Sequence, residues 1–292
     1  MKDYLNEIKY NVIGESKDSK IKQENWNTAF GLQEVDNLFP SKYMTSLATE
    51  NIKGSMSYDK VKENLNRYYS NISKDKINVS EKEADEVSLR MVRILNDKAF
   101  SFNFLTLKQY HKELFYGIDV GIGGKYIGNF RDYNISKKEP VLNGESVIYA
   151  DYRMIADTLM YDFDEERSQK YAKMQPEAQV KRIATFTSRI WQVHPFGEGN
   201  TRTTALFIQK YLNSIGFCVN NDLFKDNSLY FRNALVRANY SNIHKGVDAE
   251  PVYLYHFFDN LINNGDNKLD NNKLYVEDNA AIDLTRNSNR TI

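Results

Sequence analysis

The chain has 292 residues, and its 39 basic and 39 acidic side chains cancel to a formal net charge of zero. That length suits one large domain or two small ones, and the balanced charge gives no excess for binding nucleic acid or an anionic membrane. With one cysteine, Cys218, and neither a signal-peptide pattern nor a long apolar run, we expect a cytoplasmic protein without disulfides, a thiolate metal cage or a membrane span.

The N-terminal part of the chain is a polar segment followed by helical patterns. We interpret residues 1–40 as a peripheral N-terminal segment. Apolar periodicity and helix-start residues predict helices over 41–52, 57–71 and 81–98, and a further helix from Thr106 to a stop at Gly117. One face of this last helix carries Leu107, Tyr110, His111, Leu114 and Phe115.

Residues 118–149 have a different character. Two β-prone pieces, KEPVL and SVIYA, are joined by Asn143-Gly144, which predicts a small β-hairpin. Helical patterns resume at Asp151 and continue at about 175–192, from Thr203 to Gly216, and at about 226–242 and 250–263. We therefore predict a mainly α fold. Residues 263–292 are rich in Asn and Asp, and we expect them to form a loosely held C-terminal tail.

The helical pattern is interrupted by HPFGEGNTRT, residues 194–203. A Gly-rich turn that enters a helix N-terminus favours anions, because unpaired N–H groups and the positive end of the helix dipole point outward there. Gly197 and Gly199 would let a ligand approach the backbone closely. Arg202, in the first turn of the next helix, could pair with a phosphate.

The same stretch carries a base and a metal-binding oxygen. His194 titrates near neutral pH, as a general base should, and Glu198 offers one hard oxygen to Mg²⁺ that is shared with phosphates. Taken singly, each has an ordinary role: a histidine at a helix end often caps it, a lone glutamate is often solvated, and Phe196 suits a loop anchor. Taken together, they fit phosphoryl or nucleotidyl transfer to a hydroxyl.

Other catalytic patterns are missing from the sequence. A zinc site is not indicated, because the only histidines are His111, His194, His244 and His256, with no HExxH and no cysteine pair. Neither a GxSxG nor a P-loop pattern occurs.

The motif resembles the signature of the Fic (filamentation induced by cAMP) family, HxFx[D/E]GNGRxxR. The matching residues are His194, Phe196, Glu198, Gly199, Asn200 and Arg202. The sequence departs from the signature at Thr201, where the family has glycine, and at Ala205, where it has a second arginine. The segments GKYIGNFRDYNI, LKQYHKELF and LYFRNALVRANY are also similar to the family, so the resemblance covers about residues 40–262.

The resemblance implies a Fic-type helical bundle with a small β-hairpin flap. It divides the chain into an inhibitory helix at 41–56, a catalytic domain at 57–262 and the tail. The family's usual reaction moves AMP from ATP to a Ser, Thr or Tyr hydroxyl of a protein and releases pyrophosphate. ATP is therefore the expected co-substrate, with Mg²⁺, or Mn²⁺ in its place, as the cofactor.

The resemblance also implies roles for the motif residues. His194 would deprotonate the target hydroxyl, and Glu198 would hold the metal on the α and β phosphates. Arg202 would neutralise the outer phosphates. The anion cradle would be formed by Gly197, Gly199, Asn200 and the N–H of Thr201. A β-branched residue disfavours positive φ, but at the start of a helix Thr201 should not need it, so we expect activity to survive.

Outside the motif, the resemblance implies a base pocket and a docking edge. Asn233, Ala234 and Tyr240 lie where the family lines its adenine pocket. The flap would hold the target's main chain by β-augmentation, which tolerates many sequences. The flap residues named for this role are Lys138, Glu139, Pro140, Val141 and Leu142.

SLATEN, residues 46–51, is similar to the family's inhibitory pattern [S/T]xxxE[G/N]. The matching residues are Ser46, Glu50 and Asn51. In the family this glutamate pairs with the second motif arginine and takes the place of the γ-phosphate. Because Ala205 replaces that arginine, we expect Glu50 to restrain the enzyme only weakly.

Several functions stay open at this point. The leading hypothesis is a protein adenylyltransferase that also modifies itself. The alternatives are removal of AMP or another nucleotidyl or phosphoryl transfer on the same fold, and a catalytically silent helical interaction module. The expected partners are ATP and a protein with an exposed hydroxyl, not nucleic acid or membrane. A homo-oligomer, or delivery to another cell as an effector, stays open as well.

Overall fold

The computed structural model describes residues 17–118, 121, 124–219 and 222–277. Within these residues the chain is mainly helical, as the sequence predicts. The α-helices in chain order are α1 Lys17–Gly31, α2 Lys42–Ile52, α3 Tyr58–Asn71, α4 Val79–Asn96, α5 Phe104–Phe115, α6 Ile155–Arg167, α7 Pro176–Val193, α8 Asn200–Ser214, α9 Asp222–Ala238 and α10 Val252–Asn263. None of the helices in this part of the chain has the length and apolar character needed to cross a membrane.

The starts of several helices follow from local side-chain chemistry. Ser41, Ser57, Asn78 and Asn103 precede α2, α3, α4 and α5, and each side chain accepts a hydrogen bond from a backbone N–H in the first turn. Such caps satisfy donors that the helix itself leaves unpaired. The predicted helices at 41–52 and 57–71 are confirmed to within a residue.

The core is built around α8. Every residue from Asn200 to Leu212 is buried, and α8 packs against α4, α5 and α7. An α-helix that is buried on all sides presents its N-terminus from a rigid position. The start of α8 directly follows the loop between α7 and α8, so this loop is held at the end of the core.

The N-terminal segment does not have the peripheral position expected from the sequence. In α1, Trp26, Ala29 and Leu32 beyond its end are at most 1 % exposed, and the helix packs against α4 and α9. The Trp26 indole donates to Asn51 Oδ1 at 2.9 Å. Trp26 and Ala29 are three residues apart and therefore share a face of α1, which is buried although most residues of the helix are polar. Residues 1–16 of the expected segment lie outside the described residues.

Residues 138–148 form a turn, and the expected β-hairpin is not confirmed. No strand is present in the described part of the chain; Asn242 and Val247 form an isolated bridge there. Pro140–Leu142 is a 3₁₀ turn, followed by Asn143 and Gly144 with φ of 55° and 87°. The N–H of Glu139 donates to the carbonyl of Glu145 at 2.9 Å. A proline in the first predicted strand removes one ladder donor, which favours the turn.

The first part of the expected tail packs onto the fold. Leu274 is fully buried within the 3₁₀ turn Asn271–Leu274, and the Asn260 side chain bonds both to the carbonyl and to the N–H of Asn267. The prediction of a loosely held tail is therefore wrong for residues 264–277. The polar side chains that suggested a loose tail instead bond to the helices beneath it. Residues 278–292 lie outside the described residues.

Candidate active site

His194 lies where α7 ends, in the left-handed conformation with φ of 48°. Its N–H donates to the carbonyl of Trp191, and its Nδ1 lies 3.2 Å from the same oxygen. Because a carbonyl only accepts, Nδ1 carries the proton of the neutral ring, and the lone pair sits on Nε2. Burial and the positive charges of Lys137, Arg131 and Arg232 lower the pKa of His194 to about 3. This pKa corrects the near-neutral titration expected from the sequence: the ring is neutral at pH 7, and it is a weaker base than a free imidazole.

Two aromatic rings fix the His194 imidazole. The Tyr149 ring lies 4.2 Å from it between centroids, and the Trp191 ring stands edge-on at 5.2 Å. The Tyr149 hydroxyl donates to Glu139 Oε1 at 3.5 Å, and Arg232 Nη2 donates to the other oxygen of Glu139 at 2.6 Å. A buried ion pair between the flap and α9 thus supports the ring that packs on the base.

Arg131 holds the backbone on both sides of His194. Its Nε donates to the His194 carbonyl at 2.8 Å, and its Nη2 donates to the carbonyl of Val193 at 3.2 Å. Its own N–H donates to the Pro195 carbonyl at 2.9 Å. No role for Arg131 was predicted from the sequence. The only hint in the sequence was that Arg131 ends GNFR, part of a segment similar to the family. Neighbouring residues do not indicate which carbonyls a buried guanidinium will reach.

Asn200 closes the loop instead of facing an anion. Its Oδ1 accepts from the N–H of Phe196 at 2.9 Å, and its Nδ2 donates to the Phe196 carbonyl at 2.8 Å. Both ends of this buried amide are occupied by one residue of the loop. The Asn200 side chain therefore shapes residues 196–200, and a place for Asn200 in the expected anion cradle would have to come from its backbone N–H.

His111 is a second residue whose role the sequence did not indicate. It accepts at Nδ1 from the N–H of Gly128 at 2.9 Å, and Nε2 donates to the carbonyl of Glu198 at 3.1 Å. Its ring stacks on Phe196 with centroids 3.9 Å apart. Burial lowers the pKa of His111 to about 4, which keeps the ring neutral and able to donate and accept at once. His111 thus joins α5 to the catalytic loop.

Glu198 presents a partly exposed carboxylate beside the helix N-terminus. Its Oε1 accepts from the N–H of Gly199 at 3.0 Å, and Lys137 Nζ lies 4.0 Å from the same oxygen. Gly197 next to it is half-buried. Gly199 has φ of 73°, and a Cβ there would lie 2.5 Å from the Phe115 ring, so the motif requires glycine at this position.

Thr201 is a helical residue with a hydroxyl that has a structural partner. It lies in the first turn of α8 and is not among the positive-φ residues, as the sequence argument expected. The indole N–H of Trp191 donates to Thr201 Oγ1 at 3.0 Å, and both residues are buried. The family's glycine could not accept this hydrogen bond. Thr201 therefore ties the end of α7 to the start of α8.

The Arg202 side chain points into the protein core, which corrects its expected contact with the outer phosphates. Its Nη1 donates to Glu83 Oε1 at 2.9 Å and to Gln33 Oε1 at 3.1 Å. Its Nε lies 2.7 Å from Asp36 Oδ2, without the alignment of a hydrogen bond. The guanidinium also lies over the Phe115 ring at 4.8 Å. Arg202 is 1 % exposed, and two carboxylates balance its charge.

The residues of the inhibitory pattern are not brought to the motif. The Glu50 carboxylate is exposed, and its partners are Ser55 Oγ at 2.6 Å and Lys53 Nζ at 3.6 Å. Ser46 donates to the carbonyl of Tyr43, one turn earlier. Asn51 is buried and donates to the Met56 carbonyl. Glu50 is thus paired within its own segment, and Arg202 pairs with Asp36 and Glu83 instead. Ala205 is fully buried in α8.

The expected base pocket and flap carry contacts of their own. Asn233 Nδ2 donates to Asn271 Oδ1 at 2.9 Å, and the Tyr240 hydroxyl donates to Glu145. Ala234 is fully buried, so it contributes only packing. In the flap, Lys138 and Pro140 are exposed, whereas the buried residues are Glu139, Val141 and Leu142.

Comparison with known proteins bears on this arrangement. Residues 101–212 match the sequence model of the Fic/DOC family, so this part of the chain is a Fic/DOC family domain. The matched range contains His194, Glu198 and Arg202 together with Arg131 and His111. Such a domain supports a transferase activity of the general Fic type. A search of curated proteins gave no significant match. In the described residues no group of three His, Cys, Asp or Glu side chains is arranged to hold a metal ion.

Proposed function

We propose that the chain is a protein adenylyltransferase that moves AMP from ATP to a protein hydroxyl. The observation that carries the proposal is the way His194 is held: its neutral imidazole bonds through Nδ1 to the Trp191 carbonyl, which leaves the lone pair on Nε2, and the residue begins the loop that leads into α8. A general base must be unprotonated and within reach of the hydroxyl it activates. The Fic/DOC match adds the expectation of group transfer.

In the proposed reaction, His194 Nε2 takes the proton of a Ser, Thr or Tyr hydroxyl. The hydroxyl oxygen attacks the α-phosphorus of ATP, the bond from that phosphorus to the bridging oxygen breaks, and pyrophosphate leaves. The first-turn N–H groups of α8, which have no partner within the helix, would bind phosphate oxygens. Arg131, through the His194 carbonyl, would keep the base in place.

Glu198 fits the role of a single metal-binding carboxylate. Its Oε1 is anchored by the Gly199 N–H, which leaves Oε2 for a cation that completes its shell with phosphates and water. Bound Mg²⁺, or Mn²⁺, would supply neutralisation of phosphate charge. Because Arg202 is occupied by Asp36 and Glu83, Lys137 would provide the protein cation for the phosphates from its place 4.0 Å from Glu198.

The same groups could serve neighbouring reactions. Removal of AMP, transfer of another nucleotide and phosphorylation would each use a neutral base beside a phosphate cradle. A silent interaction module would keep the fold without the chemistry. The contacts that hold His194 favour catalysis, because a module would not need an imidazole whose Nδ1 is bonded and whose Nε2 keeps its lone pair.

The experiment is intact mass spectrometry after incubation with Mg-ATP, Mg-GTP or Mg-CTP. The parent is compared with His194→Ala and with His244→Ala, an exposed histidine outside the site as the matched control. We expect the mass of one or more AMP groups on the parent and the control, and none on His194→Ala. A parent that neither gains mass nor binds Mg-ATP in calorimetry would overturn the proposal. A gain only with GTP or CTP would change the nucleotide but keep the reaction class.

A further inference from the structure

The C-terminal segment Asn271–Glu277 lies across the flap. The N–H of Val276 donates to the Val141 carbonyl at 2.9 Å, and Asn143 Nδ2 donates to the Val276 carbonyl at 2.9 Å. One residue therefore uses both of its main-chain groups on the flap. Extended peptides bind to the edge of a protein through the same kind of main-chain pairing. The main-chain hydrogen bonds provide affinity, and the side chains provide selectivity.

The same segment is anchored on the N-terminal side of Val276. The Leu274 side chain is fully buried. The Tyr253 hydroxyl of α10 donates to the Lys273 carbonyl at 2.9 Å, and Asn271 Oδ1 accepts from Asn233 in α9. The segment thus covers a continuous strip from the flap to α9. This strip includes Val141 and Asn233. The family resemblance implied that Val141 docks the target protein and that Asn233 lines the adenine pocket.

We propose that this strip is a peptide-binding surface whose resident occupant is the chain's own segment 271–277. An extended segment of a target protein would bind there in exchange for it. The identification of that segment as a target rests on the proposed function, whereas the exchange itself does not. The segment would then act as an internal competitor, present at an effective concentration of about millimolar because it is tethered.

The occupant also indicates which peptides fit. It offers a buried apolar side chain at Leu274 and a main-chain N–H and carbonyl pair at Val276. Tyr275 between them is extended, with φ of −67° and ψ of 133°, and its side chain is 46 % exposed. A matching target would carry an apolar residue, then a hydroxyl residue, then a residue free to pair its main chain. A peptide with this order would bring a tyrosine hydroxyl to the flap.

The test removes one hydrogen-bond donor from the occupant. Val276→Pro has no N–H, and Tyr275 already has the backbone conformation that precedes proline without strain. Val276→Ala keeps the N–H and is the matched control. The probe is a fluorescein-labelled synthetic peptide with the sequence of residues 270–277, DNNKLYVE, titrated into each protein without nucleotide and followed by fluorescence anisotropy.

We expect the peptide to bind Val276→Pro about two- to tenfold more tightly than Val276→Ala or the parent, since the tethered competitor has lost a hydrogen bond. A second peptide with proline in place of its valine should bind more weakly. Equal affinity of the first peptide for all three proteins, or no binding to any, would overturn the proposal. No nucleotide is present, so this failure is distinct from a failure to transfer AMP.

A second measurement protects against misfolding of the proline variant. Asn143 is exposed and has positive φ, so Asn143→Gly keeps the turn and removes only the side-chain contact to Val276. Hydrogen exchange should then be faster at the Val276 amide and unchanged in α8. Exchange at Val276 that is already unprotected in the parent would show that the segment does not occupy the strip.

Discussion

Replacing Thr201 with the family's glycine should weaken the protein without releasing a blocked activity. In Thr201→Gly, the Trp191 indole N–H loses its acceptor in a site where Trp191 is 1 % exposed. A buried donor without a partner costs about 1–3 kcal/mol. Loss of the buried side-chain carbons costs about 1.5 kcal/mol, and glycine in a helix adds about 0.5–1 kcal/mol. The free energy of unfolding should therefore fall by about 3–5 kcal/mol.

Two further variants separate these contributions. Thr201→Val keeps the volume and the β-branch but not the acceptor, and should cost about 1–3 kcal/mol. Thr201→Ser keeps the acceptor and loses one methyl, and should cost about 1 kcal/mol. Urea unfolding followed by far-UV circular dichroism gives the order. If Thr201→Val is as stable as the parent, the hydrogen bond from Trp191 to Thr201 does not stabilise the protein. A large rise in AMP transfer in Thr201→Gly would show that threonine cripples the site.

Three further predictions test the site. Gly199 and Gly117 both have φ of 73°, but only at Gly199 would an added Cβ meet a ring. In urea unfolding, Gly117→Ala should therefore cost about 1 kcal/mol of stability, and Gly199→Ala about 1–3 kcal/mol more. Equal costs would contradict the clash with Phe115. Arg202→Met should cost about 3–5 kcal/mol because it removes the cation from Asp36 and Glu83, whose side chains are only 15 % and 12 % exposed. The exposed Arg67→Met should cost less than about 1 kcal/mol. If Arg202→Met were as stable as the parent, these ion pairs would not be what holds Arg202. Burial lowers the pKa of His194 to about 3, below its unfolded value, so the unfolded state binds the extra proton and acid destabilises the fold. From pH 6.5 to 5 the parent should lose about 1–2 kcal/mol more than His194→Gln, and parallel losses would mean a normal histidine pKa.

The position of Arg202 changes how the motif should be interpreted in this chain. Its partners Gln33 and Asp36 follow α1, and Glu83 lies in α4. The N-terminal part of the chain therefore supplies a side chain and a charge that the catalytic loop needs for its own stability. A truncation that removes this part would take away Gln33 and Asp36 and leave Glu83 as the carboxylate partner of Arg202. If such a truncation lost activity, the cause would be damage to the fold of the site, because removal of an inhibitor would raise activity.

Features that depend on neighbouring residues in the chain were determined by the sequence. The capping residue Ser57 predicted a helix start, because a cap bonds to a backbone N–H within its own first turn. The break at HPFGEGNTRT and the choice of His194 as base also came from local pattern and from resemblance to a family. Thr201 could be judged free of positive φ from its place at a helix start.

The tertiary structure decided every feature that depends on distant residues. Arg202 turned inward because a carboxylate more than a hundred positions away meets it, and a buried guanidinium binds whichever carboxylates the packing brings near. His111, Arg131 and Asn200 bond to main-chain carbonyls and N–H groups of the loop, which have no signature in the sequence. The C-terminal segment looked loose because its composition is polar, but polar side chains order a segment once complementary groups lie beneath it.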